Sequence, residues 1–179
     1  MSKNKLLLLT LFLASAVFLS GCTGIAAGIT PVTGFDSARY LGKWYEIARL
    51  DHSFERGLKN VTAEYSLREG GGIKVVNQGY SIADKEWQSA VGKAFFVSGE
   101  DVAHLKVSFF GPIYGSYVVF DLDKEDYQYA FVTSYNKSYL WLLAREPVVA
   151  QSVFDKFNAL AEQHGYATDE LIYVKHDSR

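Results

Sequence analysis

Apolar and polar positions alternate along most of this chain in short runs of strand length. Val61-Thr62-Ala63-Glu64-Tyr65-Ser66-Leu67 places Val61, Ala63, Tyr65 and Leu67 on one face and Glu64 and Ser66 on the other. Leu105-Lys106-Val107-Ser108-Phe109 repeats the period of two that an extended backbone imposes. The pattern predicts strands at 42–50, 61–68, 73–80, 86–97, 103–110, 116–122, 127–134 and 139–145. Turn-forming stretches separate them: Glu69-Gly70-Gly71-Gly72, Ser98-Gly99-Glu100-Asp101, 123–126 and Tyr135-Asn136-Lys137-Ser138. No helical segment of crossover length lies between them, so an up-and-down antiparallel sheet is expected and a parallel one is disfavoured. One helix is predicted near the end, with Pro147 at its start, Gly165 past its end and Val149, Val153, Phe157 and Leu160 as one apolar stripe. A last short strand follows at 171–175.

The N-terminus breaks this pattern. Lys3 and Lys5 precede an apolar run from Leu6 to Leu19, shorter than the ~20 residues a membrane-crossing helix needs. It reads as a secretory signal peptide, residues 1–21. The following Leu19-Ser20-Gly21-Cys22 resembles the lipobox of bacterial lipoproteins. That resemblance implies cleavage before Cys22 and acylation of its sulfur and new amino group, making Cys22 the lipid anchor. Thr23 stands where many inner-membrane lipoproteins carry Asp, which implies the outer membrane, facing the periplasm. Residues 22–33 read as a short tether, and 34–179 as the folded domain.

Composition narrows the function. A net charge of −2 gives no footprint for nucleic acid, and 49% hydrophobic residues exclude disorder. The 15% aromatic content is high. Rigid rings suit the wall of a cup that keeps its shape when empty. Eight strands with one helix outside can close into a barrel just wide enough for one small ligand.

Phe35 to Leu50 reads FDSARYLGKWYEIARL and contains Gly42-Lys43-Trp44, which resembles the first signature of the lipocalins. In that family the Trp closes the bottom of the cup under an Arg ending the last barrel strand, here Arg145 after 139–144. The stretches 44–49, 54–58 and 106–112 resemble the bacterial outer-membrane subfamily, and the likeness runs from about residue 34 to 175. One departure is Glu125-Asp126-Tyr127, where the second signature has Thr first. The resemblance implies an all-β, eight-stranded antiparallel barrel that binds a fatty acid or lysophospholipid and serves envelope maintenance under stress.

Parity and the resemblance together select a cavity lining of Tyr65, Ala94, Phe96, Val107, Phe109, Tyr114, Tyr139, Trp141 and Leu143. In the fourth strand Gly92 and Ala94 are read as room left for ligand. Gly42, Trp44 and Arg145 are the structural signature. No cofactor, metal site or catalytic residue is expected: His52, His104, His164 and His176 are scattered. Asp51, His52 and Glu55 read as a solvated loop, and Arg56 and Lys59 as exposed basic side chains at the mouth. Two rival readings stay open, an isomerase or de-epoxidase on this scaffold and a filled, purely structural envelope lipoprotein. A homodimer is compatible with the sequence.

Overall fold

A computed structural model describes residues 22–177; the predicted signal segment, 1–21, lies outside the described residues. The predicted strands are present as β1 (Gly42–Arg49), β2 (Leu58–Leu67), β3 (Ile73–Ser81), β4 (Glu86–Phe96), β5 (His104–Ser108), β6 (Gly115–Leu122), β7 (Tyr129–Thr133) and β8 (Leu140–Ala144). Each pairs antiparallel with the next, and β1 pairs with both β2 and β8, so the sheet closes into a barrel. Closure leaves no free edge among these strands.

The two faces of the sheet carry two cores. Outside, Phe131, Leu140, Leu142 and Ala144 pack under helix α2 (Gln151–Gln163), which buries Phe157 and Ala161. Phe131 meets Phe157 edge to face at 5.0 Å between ring centres. The helix starts four residues after Pro147, with Ala150 as its N-cap. At its other end Gly165 takes φ +74°, and the Gly165 and Tyr166 amides donate to the Glu162 and Ala161 carbonyls.

Inside, the barrel divides into a packed base and an open top. The base is filled from below by a short helix absent from the sequence reading, α1 (Ser37–Tyr40), capped by the Asp36 carboxylate. Phe35, Tyr40, Trp44 and Tyr127 form this plug.

The segment read as a tether is strapped to the barrel. Cys22 bridges to Gly115 at the start of β6, and Thr33 bridges to Val102. Between them the Thr23 carbonyl contacts the His104 ring at 3.0 Å, and Ala26 and Ile29 are buried. The chain therefore runs down the outside from the open end to the base.

At the open end the β1–β2 seam parts. β2 pairs with β1 only from Gly42↔Tyr65 to Tyr45↔Thr62. Beyond that, β9 (Ile172–Tyr173) lies against Ala48 and Arg49. The Val174 amide donates to Ile47, the His176 ring contacts the Glu46 carbonyl, and the Asn60 amide donates to Lys175. β1 carries a bulge against β8 between Glu46 and Ala48. In a regular strand residues three apart face opposite ways. The bulge lets Glu46 and Arg49 meet on the inner face, Nη1 to Oε1 at 2.5 Å.

Candidate functional site

The upper barrel holds a cavity of about 630 Å³, open at the end where β1 finishes and β6 begins. This is within the ~300–1,000 Å³ range of small-ligand sites. Its wall is mostly apolar: Val61, Ala63, Ile73, Val75, Leu105 and Leu143 come from four strands. Of the residues expected to line it, Tyr65, Ala94, Val107, Phe109, Tyr114, Tyr139, Trp141 and Leu143 do face it.

Phe96 does not line the cavity. It is the last residue of β4, level with the plug, and its ring stands 6.2 Å from Phe35. Nor does Gly92 leave room for ligand: a Cβ there would meet the Phe109 ring at 2.9 Å, so the space belongs to Phe109. Leu67 has the inward parity but is 73% exposed, because β2 overruns the start of β1 by two residues and nothing faces it across the barrel.

The floor is built of phenols. The Tyr117 hydroxyl lies 2.7 Å from that of Tyr40 and 2.9 Å from that of Tyr65. Burial pushes all three above the ordinary tyrosine value, so they stay neutral donors and acceptors. Beneath them Trp44 is fully buried, donates Nε1–H to the Tyr40 carbonyl at 2.8 Å, and carries the Arg145 guanidinium 4.0 Å over its ring. Arg145 also donates to the carbonyls of Lys43, Arg39 and Tyr127. Gly42 takes φ +92°, a backbone conformation that favours glycine, and a Cβ there would touch the guanidinium at an ordinary 3.4 Å.

The turn with Glu125 in place of Thr is closed by Asp123, whose carboxylate accepts from the amides of Glu125, Asp126 and Gln128. Tyr127 in that turn accepts from the Asp36 amide and lies under the Arg39 guanidinium at 4.3 Å.

Near the mouth stands a buried charged group that the sequence reading missed. Glu46, His52 and Glu55 face the cavity, with Arg49 behind them. The 50–57 connection is not a solvated loop at these residues. Arg49 Nη2 donates to the Glu55 carbonyl at 2.7 Å, and Trp141 Nε1 donates to the Glu55 carboxylate at 3.2 Å. Burial, then the Glu55 charge, raise Glu46 well above the ordinary carboxyl value. Burial works the same way on Glu55, but contacts with His52, Glu46 and Trp141 outweigh it and hold it below. One proton on the pair thus leaves one carboxylate opposite Arg49. His52 Nε2 sits 3.0 Å from Glu55 without hydrogen-bond alignment, and its Nδ1 has no protein partner. The signal for Glu46 was present in its spacing two residues after Trp44. Arg56 and Lys59 are paired, with Asp51 and Asp177.

A model of the lipocalin-like domain matches residues 35–176. The outer membrane lipoprotein Blc of Vibrio cholerae is 56% identical over 160 residues, 89% of this chain and 94% of that one. Its namesake in Escherichia coli K12 is 49% identical over 148 residues, 83% of each chain. Among solved structures, insecticyanin from the tobacco hornworm shares the fold at TM-score 0.69, with 21% identity over 87% of this chain and 88% of that one. The cockroach allergen Per a 4 does so at 0.67, again 21% identical, over 87% and 96%. With signature residues, closed barrel and relatives in agreement, the chain belongs to the lipocalins, among their outer-membrane, lipid-anchored members.

Proposed function

We propose that the cup carries one single-chain lipid, a fatty acid or lysophospholipid, and that Cys22 bears the acyl groups holding the protein to the outer membrane. The observation that carries this reading is an apolar, open cavity of about 630 Å³ whose upper wall presents buried polar atoms without a protein partner, His52 Nδ1 and Ser108 Oγ. An acyl chain gains ~0.8 kcal/mol per buried CH2, and a polar head at the mouth answers the unpaired atoms. Acylation of Cys22 would consume the chain's one thiol, so the cup would have no free thiol for chemistry on a bound lipid.

Trp141 supplies the test. Its indole faces the cavity and stacks on Tyr139 at 5.8 Å. Trp141→Ala is expected to weaken lysophospholipid binding about five- to 150-fold, the loss of ~1–3 kcal/mol of contact, with a modest change in melting temperature. In a filled, ligand-free core the same change costs ~3–5 kcal/mol of stability instead. Native mass spectrometry of protein extracted from membranes is expected to show a co-purifying lipid. Empty protein together with unaltered titration in Trp141→Ala sinks the carrier reading.

A further inference from the structure

The side of the barrel carries a second recess, of about 390 Å³, whose polar lining is Arg68, Lys74, Lys93 and Ser108, beside Gly111. Strand register brings these side chains together. Lys74 of β3 stands directly opposite Lys93 of β4, and Lys93 directly opposite Ser108 of β5. Their neighbours Ile73, Val75 and Ala94 are packed inside the barrel, so this row faces out. Arg68, just past β2, donates Nη1–H to the Gly71 carbonyl at 3.0 Å and lies 5.4 Å over the Phe95 ring, which fixes its guanidinium at the edge of the recess.

Like charges directly opposed across a sheet are destabilising. Yet none of the three cations forms an ion pair among the described residues. Ser108 is only 4% exposed, and its Oγ has no hydrogen-bond partner. It stands in the wall between this recess and the cup and borders both. A Cβ at Gly111 would stand 3.7 Å from Lys93 Nζ and 3.9 Å from Ser108 Oγ. Glycine therefore leaves open a spot from which an added atom touches ammonium and hydroxyl together. Three unpaired cations around an unpartnered hydroxyl call for an anion with several oxygens.

We propose that this recess binds a phosphate monoester, with Lys74 and Lys93 pairing with the dianion, Arg68 closing over it and the Ser108 hydroxyl donating to one oxygen. Such a group carries about −1.5 to −2 charge at neutral pH and three acceptor oxygens, which matches three cations and one hydroxyl. The recess reads the phosphate and not its carrier, so a soluble molecule and a lipid headgroup are both sources. It lies outside the cup and does not depend on what the cup holds.

The test follows amide resonances of the full acylated protein in uncharged detergent during titration with methyl phosphate, and with methyl sulfate, which has the same shape but a single charge. Saturable shifts at Lys74, Lys93 and Ser108 are expected, with methyl sulfate about tenfold weaker. Lys93→Gln and Lys74→Gln should each weaken methyl phosphate about tenfold, whereas Lys137→Gln, at an exposed position outside the recess, should leave it unchanged. Either recess variant relieves the like-charge contact, so both should fold. Melting supplies a second readout: methyl phosphate should raise the melting temperature of wild type and not that of Lys93→Gln. Phosphatidic acid mixed into the micelles separates the sources. Shifts from it alone, lost in Lys93→Gln, assign the site to a lipid headgroup, and saturation by methyl phosphate assigns it to soluble monoesters. Silence toward both probes, equal affinity for methyl sulfate, or wild-type affinity in Lys93→Gln overturns the proposal.

Discussion

Arg145 does more at the base than sit over an indole. It satisfies three backbone carbonyls from three segments of chain and roofs Trp44 at 4.0 Å. Arg145→Ala removes a cation–π contact of ~0.5–2 kcal/mol and leaves partly buried acceptors, about 2–4 kcal/mol in all. The melting temperature should fall by roughly 5–15 °C. Lipid affinity in the folded fraction should stay within a few-fold, because the plug lies below the cavity; a large affinity loss without loss of stability would refute this assignment. Glu46 makes the opposite kind of claim, about protons. Its raised value means the folded chain holds a proton that the unfolded chain releases above about 4.5. Its stabilising effect is therefore complete below that value and is lost as pH rises through the raised one. Glu55, held low, contributes above the ordinary carboxyl value and loses its contribution as acid protonates it. Thermal melts of Glu46→Gln should lack the decline that wild type shows toward higher pH; parallel curves would exclude Glu46 as the proton carrier. Parity could be read from the sequence at Tyr65, Val107 and Trp141, where strands run regularly. Parity does not encode height along a strand: Phe96 keeps the inward phase but stands level with the plug, and Leu67 overruns the barrel end, while the bulge after Glu46 brings Arg49 onto the inner face.

At the scale of elements, the strands of β1 to β8 were readable because a barrel with one solvent face and one lined face enforces alternation. What alternation does not encode is register. The parting of β1 from β2 and the insertion of 172–177 into the seam depend on pairing between segments over a hundred residues apart, such as the Asn60 amide donating to the Lys175 carbonyl and the Asp177 amide donating to the Asn60 side chain. α1 was missed because four residues are shorter than a periodicity window, and its capping Asp36 is one polar residue among several. The seam makes a test of the inserted segment. Ending the chain at Leu171 removes β9 and its pairing with Ala48 and Arg49, the bonds from Val174 to Ile47 and from Asn60 to Lys175, the ring contact of His176 on Glu46, and the bonds of Asp177 to Lys59 and Asn60. At ~1 kcal/mol for each buried hydrogen bond, the loss is more than about 3 kcal/mol. Amide exchange should accelerate at Asn60 and across 46–49, while residues 42–45, bonded to β2 itself, stay protected. Uniform acceleration along β1 would mean that the insert supports the whole barrel and not its mouth alone.

For the whole molecule, the fold and the proposed anchor meet at one residue, Cys22. The strap from Thr23 to Thr33 packs Ala26 and Ile29 on the barrel and pairs Val32 with Val119 through the backbone, and none of these contacts involves the Cys22 side chain. Residues 24–28 are mostly small and uncharged, which is why the strap read as a tether: Gly24, Ala26 and Ala27 look like slack until the barrel wall exists to receive them. Removing the sulfur should therefore abolish attachment and spare the fold. Two or more acyl chains hold a protein firmly to a bilayer where one is marginal, so the effect of losing the acylation site is close to all or none. Cys22→Ser is expected to collect in the soluble periplasmic fraction with the melting temperature of the acylated protein in detergent, within about 2 °C. It should also keep its affinity for monomeric lysophospholipid, since the cavity wall is unchanged. A variant that still sediments with outer membrane after a salt wash would place the anchor elsewhere, and one that is released but unfolded would show that acylation, not the strap, holds the mouth in shape.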